Sequence, residues 1–399
     1  MQLGIEVLLE RSEWLNRLKG QRVALLGHPS STNQKLQHTL ELLMGHPEIE
    51  LSCAFGPQHG MMGDKQYNME ESPTYEDQET GLRIHSLYGD VRRPTDAMMD
   101  EFDIVLVDLQ DVGCRIYTYV ATTIYMMEAC AKKGKSIWIL DRPNPVGRTM
   151  DGSFLSPEWM SFVGEVPTIM QHGLTLGELA QWYCDKEDLN LDLQVVPMED
   201  YNPEQAPGFG WPEPMPWVNP SPQLPNLESC RVYNGTVLLE ATHLSEGRGT
   251  TIPLQVFGAP QLNANRLIKD LNENYAEWLG GSILRKCFFV PFFNKYEGQL
   301  CEGVQIHTDV SSYNHKEFRP YRLMAGIFKS LLSRDEGFDL WNDFHYEYEQ
   351  DRSPTHLLTG STFFKDWVDD PSSSVSDFNG YMDRDIKAWD EVRRSYMIY

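Results

Sequence analysis

Side chains able to move a proton or hold an anion recur in this chain just after short apolar runs. His28 follows Arg22 to Leu26, and Gln58 with His59 follows Leu51 to Phe55. Asp108 and Asp111 sit at the end of the run from Ile104 to Leu109, and Asp141, Arg142 and Asn144 follow Ile137 to Leu140. Asp111, Arg115, Tyr117 and Tyr119 stand where a strand gives way to a helix, a place for contacts to a polar ligand or for a helix cap with an ion pair. Asp141-Arg142-Pro143-Asn144-Pro145 brackets an amide with prolines, which fixes a rigid turn suited to ligand binding. Further on, Ser245-Glu246-Gly247-Arg248-Gly249-Thr250-Thr251 sets an arginine between glycines. There the backbone can approach a ligand closely, Glu246 is a candidate acid or base, and Arg248 a candidate anion holder. The opposing reading is an ordinary turn with an exposed ion pair. His28, His59, His172 and His243 lack the compact spacing of a metal site, so neither a metal nor a cofactor is expected.

The apolar runs read as buried strands, joined by Leu193 to Val196. Helical patterns alternate with them: Leu36 to Met44, Tyr117 to Lys133, and Thr175 to Cys184, which opens with Thr175 three residues before Glu178, a capping-box spacing. Alternating β and α units imply an α/β fold with a doubly wound, mostly parallel sheet, in which ligands bind beyond the carboxyl ends of the strands. Asn202 to Asn226 is dense in proline and reads as a connector. The expected domains are therefore 1–226, ending in that connector, and 227–399, a smaller α+β domain. The second has strand-like runs at Val237 to Leu239, Phe288 to Pro291 and Gly303 to His307, and helices near Ala264 to Leu279 and Tyr321 to Leu332. Pro371 to Asp377 reads as a Ser-rich loop.

The 399 residues carry 34 Lys and Arg against 58 Asp and Glu, a net charge of −24. That surplus argues against nucleic acid and anionic membrane surfaces as partners. Seven cysteines without a CxxC pair suit a reducing compartment. No apolar stretch suggests a leader or a membrane span, so a cytoplasmic location is expected. No GxGxxG follows the first strand, and P-loop, GxSxG and HExxH patterns are missing, which lowers nucleotide, serine-hydrolase and zincin readings. Oligomeric state is not legible.

Read in order, Phe55-Gly56-Pro57-Gln58-His59-Gly60, Leu87-Tyr88-Gly89, Asp108 to Gly113, Leu140 to Pro145, His172-Gly173 with Thr175 to Glu178, Pro220-Ser221-Pro222 and Ser245 to Thr251 resemble the NamZ family, formerly DUF1343, of exo-β-N-acetylmuramidases. The resemblance runs from about Gly4 to Tyr399. It implies a Rossmann-like N-terminal domain, a smaller C-terminal domain and a cleft between them. It also implies release of N-acetylmuramic acid (MurNAc) from non-reducing ends of peptidoglycan-derived saccharides. Gln58, His59 and Glu246 then fall at catalytic positions. His28, Asp111, Arg115, Tyr117, Asp141, Arg142, Asn144, His172, Gln223, His243 and Arg248 fall at substrate-binding ones, with Arg142, Arg115 or Arg248 as counter-charge to the lactyl carboxylate.

The chain departs from that pattern at four positions expected to meet in the cleft. The family has Glu where Gln58 stands, and usually Asn where His28, Gln223 and His243 stand. An amide exchanges no proton at neutral pH, so acid/base work at position 58 is lost. Three readings follow. The protein hydrolyses glycosides with help from the substrate's acetamide, Glu246, His28 or His243 supplying the proton; or it binds sugar without turnover; or Gln58 is a trap that Glu would relieve.

Overall fold

The computed structural model describes residues 1–205, 209–213, 215–334 (334 by its backbone alone) and 338–399. Among the described residues twelve strands occur, in chain order β1 (Arg22–Gly27), β2 (Glu50–Gly56), β3 (Tyr75–Glu76), β4 (Arg83–Ser86), β5 (Ile104–Asp108), β6 (Ser136–Leu140), β7 (Asp151–Phe154), β8 (Ile169–Gln171), β9 (Asp192–Val196), β10 (Val256–Ala259), β11 (Ile283–Phe289) and β12 (Cys301–His307). Seven form one sheet in the order β3-β4-β2-β1-β5-β6-β9, parallel except for the β3–β4 pair. From β1 the chain goes to β2 on one side and to β5 on the other, so a crevice opens at the carboxyl ends of β1, β2 and β5. A smaller C-terminal region carries the antiparallel sheet β10-β12-β11 with helices around it, and β7–β8 is a separate hairpin.

Alternation along the strands sorts their side chains onto two faces. Val23, Leu25, Ala54, Ile104, Leu106, Trp138 and Leu140 pack with Leu3, Ile5, Leu8 and Leu18 of the N-terminal helices Gly4–Glu10 and Ser12–Leu18. Ala24, Leu26, Phe55, Val105, Val107, Ile137 and Ile139 face the helices Tyr119–Lys133 and Leu176–Lys186. That second core continues without interruption into Phe257, Val304, Phe328 and Trp389 of the C-terminal region. Each fully buried aliphatic side chain contributes about 1.5–3 kcal/mol.

Local departures from the expected elements have local causes. Val237 to Leu239 is not a strand but part of a 3₁₀ turn, Val237–Ala241, continuing from the helix Leu227–Thr236; short apolar runs do not distinguish the two. The strand expected at Phe288 to Pro291 lies earlier, as β11. The helix expected over Ala264 to Leu279 breaks at Tyr275 into Ala264–Asn274 and Ala276–Leu279. Leu36 is left-handed (φ 62°), so the third helix starts only at Thr39. Within 371–377, Ser374 is the N-cap of a long helix, Val375–Arg393. The connector expected over 202–226 falls partly on 206–208 and 214, outside the described residues. Thr175 does cap its helix, with the Glu178 side chain returning the bond.

The last helix braces the sheet ends. Trp389 Nε1 donates to His172 O at 2.8 Å, and Arg393 Nη1 donates to Arg148 O and Gly173 O, each at 3.0 Å. Arg115 donates to four carbonyls, of Ser153, Thr168, Leu358 and Thr359, tying the loop after β5 to the helix Pro354–Thr359.

Candidate active site

The turn after β2 carries Gln58 inward. Gly60 N donates to Pro57 O at 2.9 Å, and His59 is left-handed at φ 70°, an uncommon conformation for a non-glycine residue. Thr118, the residue before the helix Tyr119–Lys133, donates its hydroxyl to Gln58 Oε1 at 2.6 Å. Gln58 Nε2 donates to the carbonyl of Asn68 and points to Glu347 Oε1 at 3.4 Å. Both ends of the amide are thus engaged and its orientation is fixed.

The Ser245 to Thr251 loop supplies the opposite wall. Gly247 and Gly249 have φ of 73° and 77°, and a Cβ on Gly249 would come within 2.7 Å of Phe292 N. Only glycine suits that turn, and the turn drives Arg248 inward. Arg248 Nη2 meets Glu240 Oε1 at 2.6 Å and its Nε meets Glu246 Oε1 at 3.1 Å, while Lys295 Nζ reaches Glu246 Oε2 at 3.0 Å. The ion pair is therefore buried and not exposed. Burial pushes the Glu246 pKa up, but Lys295 and Arg248 outweigh it and hold the carboxylate below its usual range, so Glu246 is no proton donor near neutrality. Glu240 also accepts from Tyr346 OH at 2.5 Å and Asn68 Nδ2 at 3.0 Å.

Between these walls lies a narrow pocket bordered by Gln58, His59, Tyr117, Gln223 and Arg248. It is also bordered by two carboxyl groups that sequence reading missed, Glu240 and Glu347. Glu347 Oε2 accepts from Tyr88 OH at 2.8 Å. Burial, reinforced by Glu240 and opposed by the Tyr88 and Gln58 hydrogen bonds and by Arg92, lifts the Glu347 carboxyl to about 7. Glu347 sits in a tight turn at φ 46°, in a stretch with no periodicity to announce it. The available signal was a carboxyl between two tyrosines, Tyr346-Glu347-Tyr348.

The other candidate residues stand outside this pocket. His28 Nε2 accepts from Gln110 N at 2.9 Å and Nδ1 lies 3.3 Å from Pro220 O; burial and Arg142 keep it neutral well below the usual histidine range. Arg142 is paired with Asp108 at 2.9 Å, and Arg115 is spent on carbonyls, so neither is available as a lactyl counter-charge. Asp141 holds Thr175, Gly177 N and Tyr399, and burial with Glu178 nearby raises it to about 6. Asn144 accepts from Val146 N and donates to Leu174 O, shaping its own turn. Asp111 accepts from Gly113 N and stands 3.7 Å from His172 Nε2, both buried away from the pocket. His243 is partly exposed and pairs with Asp339 at 3.4 Å. His59 does border the pocket, but burial lowers it to about 4. Of the four departures from the family pattern, Gln58 and Gln223 meet at the pocket, and His28 and His243 do not.

The four histidines considered for a metal do not converge. A different group does lie close together, Cys53, His85 and Glu101, away from the pocket; burial holds the Cys53 thiol up at about 12, and His85 Nε2 faces Glu101 at 3.0 Å. Among the described residues no helix is long and apolar enough to cross a membrane.

The chain matches known proteins along its whole length. Residues 23–228 match the model for the N-terminal part of the exo-β-N-acetylmuramidase NamZ, and residues 231–399 the model for its C-terminal part. The peptidoglycan β-N-acetylmuramidase NamZ of Bacillus subtilis (strain 168) is 35% identical over 401 aligned residues, covering 100% of this chain and 91% of that protein. Two DUF1343 family proteins of Bacteroides fragilis NCTC 9343 superpose with TM-scores of 0.83 and 0.77, each at 27% identity over 100% of this chain and 98% of theirs. With both halves of the family represented in order, this chain belongs to the NamZ exo-β-N-acetylmuramidases, a family of glycoside hydrolases.

Proposed function

We propose that the protein hydrolyses the terminal β-glycosidic bond of a peptidoglycan-derived saccharide, releasing MurNAc from the non-reducing end, with Glu347 as general acid. The observation that carries this reading is the buried Glu347 carboxyl, anchored by Tyr88 and Gln58 and titrating near 7. A sugar alkoxide is a poor leaving group unless its oxygen is protonated as the bond breaks, and an acid poised near ambient pH does this best.

Gln58 cannot act as a nucleophile or base. The substrate's 2-acetamido oxygen attacks the anomeric carbon as the Glu347 proton passes to the leaving oxygen, giving a bicyclic oxazolinium intermediate. Water then attacks that carbon, returns a proton to the Glu347 carboxylate and reopens the ring. The remaining lone pair of Gln58 Oε1, which already accepts from Thr118, and the Tyr117 hydroxyl supply polar contacts for the acetamide N–H and ring hydroxyls.

Gln58 itself favours the second reading, sugar binding without turnover. The two separate on release of free MurNAc from MurNAc-β-1,4-GlcNAc by the wild type and by Gln58→Glu. Turnover by the wild type, blocked by a thiazoline mimic of the oxazolinium, supports hydrolysis. Binding without product, with activity appearing only in Gln58→Glu, supports the binding protein.

A further inference from the structure

Glu347 is delivered to the pocket by the C-terminal region, yet what holds it there belongs to the N-terminal sheet region. The Arg92 guanidinium carbon lies 4.4 Å from the Tyr88 ring centroid and 4.2 Å from that of Tyr348, so a planar cation is stacked between two rings. Tyr88 is the donor to Glu347, and Tyr348 is its chain neighbour. Arg92 Nη1 donates to Gly89 O at 2.6 Å. Its Nε is buried without a hydrogen-bond partner, and its Nη2 forms an ion pair at 3.5 Å with Glu71, a carboxylate that also accepts from Tyr348 OH at 2.9 Å. A buried donor such as Nε is rare, because it loses hydration with nothing in exchange. Here the guanidinium is kept for its stacking and its charge.

We propose that Arg92 is a positioning residue: clamped between Tyr88 and Tyr348, it fixes Glu347 in the pocket and sets a cation beside that carboxyl. The inference rests on Glu347 being the acid. The other charged or titratable groups around Glu347 are Tyr88, Glu71, Glu240, Tyr346 and Tyr348, with Arg248 behind Glu240. Arg248 is held by two carboxylates at 2.6 and 3.1 Å, whereas Arg92 has one at 3.5 Å and acts directly on Glu347, so Arg92 supplies the cationic field that opposes Glu240.

The test is the pH profile of kcat on MurNAc-β-1,4-GlcNAc, whose poor leaving group needs an acid. Arg92→Gln keeps a planar side chain and removes the charge. It moves the basic limb of kcat upward by ~0.5 pH unit or more, because a lost cation makes the carboxyl harder to ionise. Arg92→Lys leaves the limb in place and lowers kcat at every pH. A uniform loss of kcat in Arg92→Gln, with the limb unmoved, overturns the field. Tyr348→Leu opens one side of the clamp without touching the charge and lowers kcat several-fold; an unchanged kcat overturns the clamp and serves if Arg92→Gln does not fold. Glu347→Gln separates the two levels: wild-type activity in that variant removes the acid and this inference together. An inactive Glu347→Gln beside an unmoved limb in Arg92→Gln and an unchanged kcat in Tyr348→Leu removes this inference alone.

Discussion

Gln58 Nε2 lies 3.4 Å from Glu347 Oε1, an amide and a carboxyl meeting across 289 residues of chain. The amide donates, so it favours the ionised carboxyl, as does Tyr88; burial and Glu240 favour the protonated one and prevail. One proton donor, and not a pair of carboxylates sharing a proton, therefore stands at this wall of the pocket.

If Glu347 is the acid, Glu347→Gln lowers kcat on MurNAc-β-1,4-GlcNAc by ~10²–10⁴-fold. With a chromogenic aryl glycoside, whose leaving group needs no proton, the loss is much smaller. Comparing the two substrates on one variant checks this.

Gln58→Glu puts a second carboxyl within hydrogen-bond reach of Glu347. Two carboxyls so close share a proton, and the second ionisation is deferred. The basic limb of the pH profile consequently moves to higher pH than in the wild type, a shift read from initial rates across the alkaline side.

Much of the scaffold was legible because its strands are short apolar runs ended by Gly, Pro or Asp, as at Leu51 to Phe55 before Gly56-Pro57 and Ile137 to Leu140 before Asp141. Their polar ends were equally visible, but a sequence does not say whether a charged side chain already has a partner. Arg142 looked available, yet the Asp108 that satisfies it comes from β5, 34 residues away. Glu347 escaped notice for the opposite reason: its segment has no period, and tertiary contacts with Tyr88 and Gln58 alone give it a role.

The Glu347 assignment also has a signature in stability. Its carboxyl sits at about 7 folded against 4.5 ordinarily. Between those values the folded state holds the extra proton, so the benefit is present at low pH and lost as pH rises through 7. Glu347→Gln, neutral throughout, is therefore about as stable as the wild type near pH ~4.5 and more stable by up to ~3 kcal/mol above pH ~8. Urea unfolding at the two pH values measures the difference.

Arg248→Met leaves Glu240 and Glu246 buried with one cation, Lys295, in place of two. Breaking such a buried pair costs about 3–5 kcal/mol. The midpoint of urea unfolding falls accordingly.

His28 and His243 divide by environment. His28→Ala strands the Gln110 N–H, a loss of ~1–3 kcal/mol in stability, without moving either limb of the pH profile. His243→Ala, at a partly exposed residue that does not line the pocket, leaves kcat/KM unchanged. Thermal unfolding and steady-state kinetics on both variants check this.

The bracing helix Val375–Arg393 has a bearing on biosynthesis. A growing chain emerges from the ribosome in order, and its early parts begin to fold while later parts are still being made. The carbonyls of Arg148, His172 and Gly173 receive Arg393 and Trp389 only after more than half the sequence has been added behind them. Glu347 likewise reaches Gln58 late. The sheet can form during translation, whereas the pocket is assembled near its end, and a ribosome stalled short of that helix would display a folded sheet with an unfinished site.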